Sequence, residues 1–450
     1  MSQAGWDRLQ YYSRKVRSFT FGDSDDDIHV HSSTYIRIAQ LLQSTSLFPS
    51  LRHLKFDSYN YDMDTIFLFL SPVLESLELT NIRYNEHIIV GPFLARLSSQ
   101  MLRRIVLHNG EISANFLKKY IARFKQLRSL ELSDGDFLSD FTAWEVLGTL
   151  PSLANLTMKA TKPAPASHWQ TRSHGGGPKY FDALESLSVT GSFLLIQHLL
   201  DFIDSPCLTT IKFYPTSVLN EHEFEHEADD FTPSMTIITF KWSQSLKNLV
   251  IVTDDVTDDS STGSMFNTAQ RRRCYAISKC LKLLTVLQKM RTFHLTWKME
   301  NMEDDVRLLV KSWPKLRSLK LHLDSTVAFI SFATLRIIAE NCPELRYLQI
   351  PLNDDTSTIP FFDTSIKNLH HNLEVLDLRI VDSDRAQPST ITPTSRRQWL
   401  ECHIQVAKYL DFIFPYLTDI ELTPYNETWS GIRDLIMLCQ DARRAKYEAM

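Results

Sequence analysis

The sequence predicts an α/β fold in which one short strand and one helix alternate many times along the chain. A six-residue frame, apolar-x-x-apolar-x-apolar, recurs fourteen times in the 450 residues. Helix-like segments, with apolar residues three and four positions apart, precede many of its copies. Proline often lies two residues before the frame, where it ends the preceding helix. Each repeat is therefore expected to contain one strand followed by one helix.

The spacing of the frame indicates the type of repeat. Neighbouring copies begin 23 to 44 residues apart, and most spacings lie near the 20 to 29 residues of a leucine-rich repeat. The copies are Val16-Phe19-Phe21, Leu51-Leu54-Phe56, Leu74-Leu77-Leu79, Leu102-Ile105-Leu107, Leu127-Leu130-Leu132, Leu153-Leu156-Met158, Leu184-Leu187-Val189, Leu208-Ile211-Phe213, Leu246-Leu249-Ile251, Met290-Phe293-Leu295, Leu316-Leu319-Leu321, Leu345-Leu348-Ile350, Leu373-Leu376-Leu378 and Leu417-Ile420-Leu422. The long spacings are interpreted as loop insertions at 161–179, 254–268 and 382–397.

Stacking of the repeats predicts the architecture. A single strand and helix cannot bury both of their apolar faces, whereas stacked copies share one continuous core. The sequence therefore predicts a leucine-rich-repeat solenoid, a horseshoe with a parallel concave sheet and convex helices. Its expected parts are an N-terminal cap helix at 1–15, a solenoid of about fourteen irregular repeats at 16–431 and a C-terminal capping helix at 432–450.

Composition narrows the class of function. Hydrophobic residues make up 43% of the chain and charged residues 22%, as in a folded protein with a large core. The net charge of -5 disfavours nucleic acid as the main ligand. Only 12 glycines occur, which disfavours phosphate-binding loops, and no cofactor is expected. The six scattered cysteines and the lack of a long apolar stretch predict a cytoplasmic or nuclear protein without a membrane partner.

The concave face of the sheet is the predicted binding surface for a protein partner. Alternate residues of a strand point to opposite sides, so the neighbours of the second and third apolar residues of each frame face outward. These outward residues have mixed charge, which is typical of a polar recognition surface. The candidate partner-binding residues are Lys55, Glu78, Arg104, Glu131, Lys212, His294, Lys320, His322, Asp377 and Arg379.

Two segments add a family resemblance. The run from Glu340 to Leu348, ENCPELRYL, resembles the cysteine-containing repeats of F-box leucine-rich-repeat proteins. The run from Trp6 to Phe19, WDRLQYYSRKVRSF, resembles the stretch that follows the F-box in many fungal F-box-type proteins. The resemblance implies the substrate-recognition part of a ubiquitin ligase receptor. Five residues before Trp6 cannot form an F-box, so a Skp-family adaptor and a cullin are expected partners only if an F-box lies upstream.

Two other functions are weighed against this one. The chain could be a free-standing leucine-rich-repeat scaffold or inhibitor that is not coupled to a ligase. It could also be a zinc hydrolase, because His222, Glu223 and His226 match the HExxH string that binds zinc on a helix. That string has no evident third ligand and lies in acidic, polar surroundings, so neither a metal site nor catalysis is expected.

Overall fold

The structure is a computed structural model, and two units are distinguished within it. It describes residues 2–22, 32–42, 45–58, 63–82, 87–108, 112–133, 140–160, 180–215, 224–252, 279–296, 302–322, 329–353, 359–360, 371–379, 393–423 and 427–448. Unit 1 comprises Met1–Leu208 and Tyr214–Val218. Unit 2 comprises Thr209–Phe213 and Leu219–Met450.

Each unit contains a sheet of parallel strands that follow one another in chain order. The strands of unit 1 are β1 (Ser18–Phe21), β2 (His53–Asp57), β3 (Ser76–Thr80), β4 (Arg104–Leu107), β5 (Ser129–Ser133), β6 (Asn155–Lys159) and β7 (Ser186–Gly191). Those of unit 2 are β8 (Thr210–Pro215, through Phe213), β9 (Asn248–Val252), β10 (Thr292–Thr296), β11 (Ser318–His322), β12 (Tyr347–Pro351), β13 (Val375–Arg379) and β14 (Asp419–Thr423).

Helices alternate with these strands. Unit 1 has α1 (Gln3–Ser13), α2 (Ser32–Leu42), a 3₁₀ helix (Met63–Phe69), α3 (His87–Arg96), α4 (Ala114–Phe116) continued by a π-helical turn (Leu117–Ile121), α5 (Phe141–Gly148) and α6 (Phe193–Phe202). Unit 2 has α7 (Phe224–Trp242), a helical segment at 279–284, α8 (Met302–Ser312), α9 (Phe332–Asn341), α10 (Pro393–Ile413) and α11 (Glu427–Glu448).

The predicted α/β leucine-rich-repeat fold, with parallel strands and alternating helices, is confirmed. Each of the fourteen frames coincides with a strand that starts two residues after the first apolar position of the frame. The frames stack in register, so that Leu54 pairs with Leu77 and Phe56 with Leu79. These four side chains are at most 2% exposed. Burial of one such side chain contributes roughly 1.5–3 kcal/mol, so the repeated frame supplies much of the core.

Local signals explain where several helices begin. The side chains of Ser113, Asp140 and Ser192 accept hydrogen bonds from backbone N–H groups in the first turns of α4, α5 and α6. Ser, Thr and Asp are favoured at this position because they satisfy N–H groups that have no partner within the helix. Strand and helix boundaries are thus encoded locally, before any packing between repeats is considered.

Aromatic residues complete the core beneath the strands. Trp313, after α8, is fully buried, and its indole N–H donates to the backbone carbonyl of Leu284 at 3.3 Å. Its ring centroid lies 5.0 Å from that of Phe293 in β10. Burial of an indole N–H group without an acceptor is unfavourable, and the preceding repeat supplies a carbonyl for Trp313. This contact therefore joins two successive repeats.

The two ends of the chain form helices close to the predicted caps. α1 lies within the predicted N-terminal cap, but α11 begins at Glu427, five residues before the predicted start of the C-terminal cap. Leu438 of α11 is 68% exposed and lies on the solvent side of that helix. Ile432, Ile436 and Gln440, spaced four residues apart, form the buried stripe instead.

The predicted insertions have different outcomes. The segments 161–179 and 254–268 lie outside the described residues. The third was expected to extend to residue 397, but α10 begins at Pro393. Proline is well suited to the first turn of a helix, where its missing N–H group has no partner to lose. Among the described helices, none is long and apolar enough to cross a membrane.

Candidate interaction surface

The strands expose one polar face, which is the surface on which the candidate residues were predicted. In β3, Leu77 and Leu79 are fully buried, whereas the alternate residues Ser76, Glu78 and Thr80 are partly exposed. Most strands show the same alternation. We call the side of each sheet formed by the alternate residues the polar face. The period of two in a strand explains why the nine candidates with described side chains, all except Arg379, occupy positions on this face.

In unit 1 the first charged cluster of the polar face spans three strands. Glu78 in β3 lies 3.9 Å from the Lys55 ammonium of β2 and 3.7 Å from the Arg104 guanidinium of β4. The three side chains are 26% to 48% exposed. One carboxylate is therefore placed between two cations, and the three predicted residues form one group.

A second cluster surrounds Glu131 in β5. Its Oε1 atom accepts hydrogen bonds from His108 Nε2 at 3.1 Å and from Lys159 Nζ at 2.8 Å. Partial burial acts to raise the pKa of Glu131, but the bonds and charges of Lys159 and His108 outweigh it, and the pKa lies below its usual value. Glu131 is thus held ionised on the face, with partners from the strands on either side.

A third polar pair closes the end of β2. The Asn81 side-chain amide donates to both carboxylate oxygens of Asp57, each at 2.9 Å. Asn81 has a φ of 56°, a left-handed conformation that asparagine adopts more readily than most residues. Ser58 donates from its hydroxyl to the backbone carbonyl of Asn81. The turn after β3 is therefore fixed against the polar face.

His108, Lys159 and Asp57 also lie on the polar face but were not among the predicted residues, although the sequence contains a signal for them. Asp57 and Lys159 are the residues that directly follow the third apolar position of their frames, and so is His108. In this position the strand alternation still points outward. His322 and Arg379 were predicted from this same position, and applying it to every frame would have found all three.

In unit 2 the polar face begins with basic residues. Lys212 in β8 is exposed and lies in register with Val250 of β9, which in turn pairs with His294 of β10. His294 pairs with Lys320 of β11, whose ammonium group lies 4.2 Å from the ring centroid of Tyr347. The predicted residues Lys212, His294 and Lys320 therefore lie in one row across β8 to β11, and His322 follows at the end of β11.

Asp377 does not offer its carboxylate to solvent, contrary to the prediction. It is 5% exposed and accepts a hydrogen bond from Gln349 Nε2 at 2.7 Å, with Gln349 itself 8% exposed. In β12 consecutive residues from Leu348 to Pro351 are all buried, so both sides of the strand are covered there. The alternation of residues along a strand predicts the side of the sheet on which a residue lies. It does not predict whether other side chains cover that side.

Two predicted sites fall partly outside the described residues. Arg379 is placed as the last residue of β13, and its side chain is not described. Of the HExxH string, His226 lies in α7, whereas His222 and Glu223 are outside the described residues. Within the described part of the chain, no group of three or more His, Cys, Asp or Glu residues is arranged to hold a metal ion.

Comparisons with known proteins find structural likeness only. No protein-family model matches the sequence, and no curated protein sequence is significantly similar to it. A protein of Bacteroides fragilis is 12% identical, with a TM-score of 0.32 over 62% of this chain and 66% of its own. Yeast Rad7, solved in complex with Elc1, is 14% identical, with a TM-score of 0.35 over 88% and 95%. TLR13, solved with ssRNA13, is 13% identical, with a TM-score of 0.36 over 83% and 56%.

Proposed function

We propose that this chain is a protein-interaction module that binds its partner through the polar faces of its strands. The observation that supports this most directly is the charged arrangement in unit 1. Five charged residues from five neighbouring strands are fixed in interstrand pairs and remain 23% to 48% exposed. Side chains held on strands lose little conformational entropy on binding, so such a surface is preorganised for a partner.

The cellular role that we propose is substrate recognition in an F-box-type ubiquitin ligase receptor. The basis is the sequence resemblance of the segments around Trp6 and Cys342. In the structure these segments form α1 leading to β1, and the end of α9 leading to β12. Such a receptor would act in the cytoplasm or nucleus and would have no catalysis of its own. The five described cysteines are free thiols, as is usual in those compartments.

Proximity labelling in cells tests whether the polar face binds a partner. The test variant is Glu78→Ala with Glu131→Ala, which removes both paired carboxylates. The matched control is Asp64→Ala with Asp182→Ala, which removes two exposed carboxylates from the 3₁₀ helix and from a turn. Partners labelled by the natural chain should be lost with the first variant and kept with the second. Circular dichroism confirms that both variants are folded, and equal labelling by both would refute the proposal.

Purification distinguishes the ligase receptor from a free-standing scaffold or inhibitor. The chain, expressed from its native gene, is isolated with an affinity tag and probed for a Skp-family adaptor and a cullin. Recovery of both supports the receptor. If neither is recovered while the polar-face partners remain bound, the chain is a scaffold or inhibitor and the ligase role is wrong.

A further inference from the structure

The polar faces of the two units differ in how their charges are compensated. In unit 1, Glu78 lies between Lys55 and Arg104, and Glu131 lies between His108 and Lys159. The cations of these strands therefore meet carboxylates of the same face. A partner that binds there meets a surface whose charge is already largely neutralised.

On β9 to β11 of unit 2, the described residues of the polar face include no carboxylate. The row instead contains Lys212, His294 and Lys320, with His322 beside it. Lys320 has its ammonium group 4.2 Å from the centroid of the Tyr347 ring, in a cation–π contact. Lys212 is exposed and has no ion-pair partner among the described residues. Lys212 and Lys320 therefore have no carboxylate partner among the described residues of this face.

A second row of cations lies where these strands begin. Lys247, Arg291 and Arg317 directly precede β9, β10 and β11, and consecutive members are joined through the backbone. The backbone N–H group of Arg291 donates to the Lys247 carbonyl at 2.6 Å, and the backbone N–H group of Arg317 donates to the Arg291 carbonyl at 2.7 Å. Neighbouring strands are about 4.8 Å apart, so the row places one cation at each such interval.

Only part of this second row is compensated. Arg317 is paired with Glu344 at 3.1 Å. Lys247 and Arg291 have no ion pair within the described part of the chain, and Arg291 is exposed. Two of the three cations at the strand starts thus remain available to an external acid.

An apolar residue lies within the row formed by Lys212, His294 and Lys320. Val250 in β9 lies between Lys212 and His294 in register and is partly exposed. In unit 1, Val106 occupies the same position between Glu78 and Glu131 but is only 1% exposed. The apolar residue at this position is thus covered in unit 1 and partly exposed in unit 2. An apolar centre with a charged rim is the usual composition of a protein-binding patch.

We propose that the basic face of unit 2, defined by Lys212, Lys247, Arg291 and Lys320, binds an acidic, extended segment of a protein partner. An apolar side chain of that segment would pack against Val250. The inference rests on the proposed function and specifies the chemistry of the partner. A protein segment is favoured over nucleic acid, because a chain of net charge -5 has no overall field that attracts a polyanion.

Fluorescence anisotropy with the full chain tests the proposal. The probe is a labelled peptide of about eight residues, rich in Glu and Asp around one Leu. Lys247→Glu with Arg291→Glu should weaken binding at least about tenfold, because two cations that attract the acidic peptide become carboxylates that repel it. The matched control, Arg103→Glu with Arg128→Glu, makes the same change at exposed strand starts of unit 1 and should leave the affinity within about twofold. Added salt should weaken binding by the natural chain.

Three outcomes would overturn the inference: no binding of the peptide, equal weakening by both double variants, or tighter binding of an oligothymidylate than of the peptide. The last outcome would assign the face to nucleic acid. Failure of the inference is distinguishable from failure of the proposed function. Partners that are lost with the Glu78 and Glu131 variant but unaffected by Lys247→Glu with Arg291→Glu would leave the interaction module intact and remove only the acidic-segment site.

Discussion

A buried histidine replaces proline in one of the turns that lead into a strand. His371 lies two residues before the frame at Leu373, where several other repeats have proline. It is 1% exposed, its Nε2–H group donates to the Cys342 carbonyl at 2.8 Å, and its Nδ1 atom accepts from the Leu373 N–H group at 3.1 Å. Both nitrogens are used by the neutral ring, so the ring joins two successive turns only while it is uncharged.

This bonding predicts a pH dependence of stability. Burial lowers the pKa of His371, although the bond to the Cys342 carbonyl acts to raise it. As the pH falls below about 6.5, the unfolded chain takes up a proton that the folded chain does not, so the free energy of unfolding decreases until the folded pKa is reached. In His371→Gln, which cannot titrate, the decrease measured by urea unfolding should be smaller. The control His53→Gln changes an exposed histidine, and an equal reduction there would contradict the explanation.

Two helical glycines are expected to respond oppositely to the same substitution. A Cβ atom on Gly148 would lie 2.7 Å from Tyr180 Cδ1, and the Tyr180 ring is stacked on Phe202 with centroids 4.5 Å apart. Gly148→Ala should therefore cost about 1–3 kcal/mol. A Cβ atom on Gly431 in α11 would meet no atom within 4 Å, so Gly431→Ala should stabilise by up to about 1 kcal/mol. Thermal unfolding measures both changes, and a stabilised Gly148→Ala variant would show that Tyr180 moves away freely.

At the residue scale, the sequence predicts on which side of the sheet a residue lies better than it predicts the burial and partners of its side chain. Lys55, Glu78 and Arg104 were predicted to share a face, and the structure brings them together. Their pairing could not be predicted, because it depends on which residues of adjacent repeats come into register. Burial of Asp377 was missed for a related reason, because it depends on contacts between repeats such as the hydrogen bond from Gln349.

At the element scale, strands were predicted more reliably than helices. Every frame became a strand, because the pattern of three apolar positions is short and is reinforced by identical neighbours. Helix boundaries vary, and one repeat replaces the α-helix by the 3₁₀ helix at Met63–Phe69. The helical layer tolerates such variation because it needs only to cover the apolar side of the strands.

The C-terminal helix offers a test of capping. α11 packs along α10 and against β14, and it buries Ile432 and Ile436. Deletion of residues 427–450 should lower the free energy of unfolding by roughly 3–6 kcal/mol for these two side chains alone and expose apolar surface. Light scattering should show aggregation of this variant and not of a control that lacks only 442–450. A monomeric deletion variant of unchanged melting temperature would show that α11 is not a cap.

At the scale of the whole molecule, period and composition predicted the fold class. The spacing of the frames indicated a repeat protein before any element was assigned, and the structure confirms parallel strands in chain order within each unit. The division into two units was not anticipated. It falls near the frame at Leu208, 38 residues before the next frame, but the two longer spacings of 44 residues lie within unit 2, so spacing alone does not predict the division.

The metal content of the full chain tests the competing hypothesis that the protein is a zinc hydrolase. Zinc sites in proteins use at least three protein ligands, whereas the string at His222 and His226 supplies two, in acidic and polar surroundings. We therefore expect far less than one zinc ion per purified chain by plasma mass spectrometry, and no change on substitution of both histidines by alanine. The control His294→Ala with His322→Ala removes two histidines from the polar face of unit 2. Stoichiometric zinc that is lost with the first pair and kept with the second would establish a metal site at the string, because only a bound ion depends on those two ligands in particular.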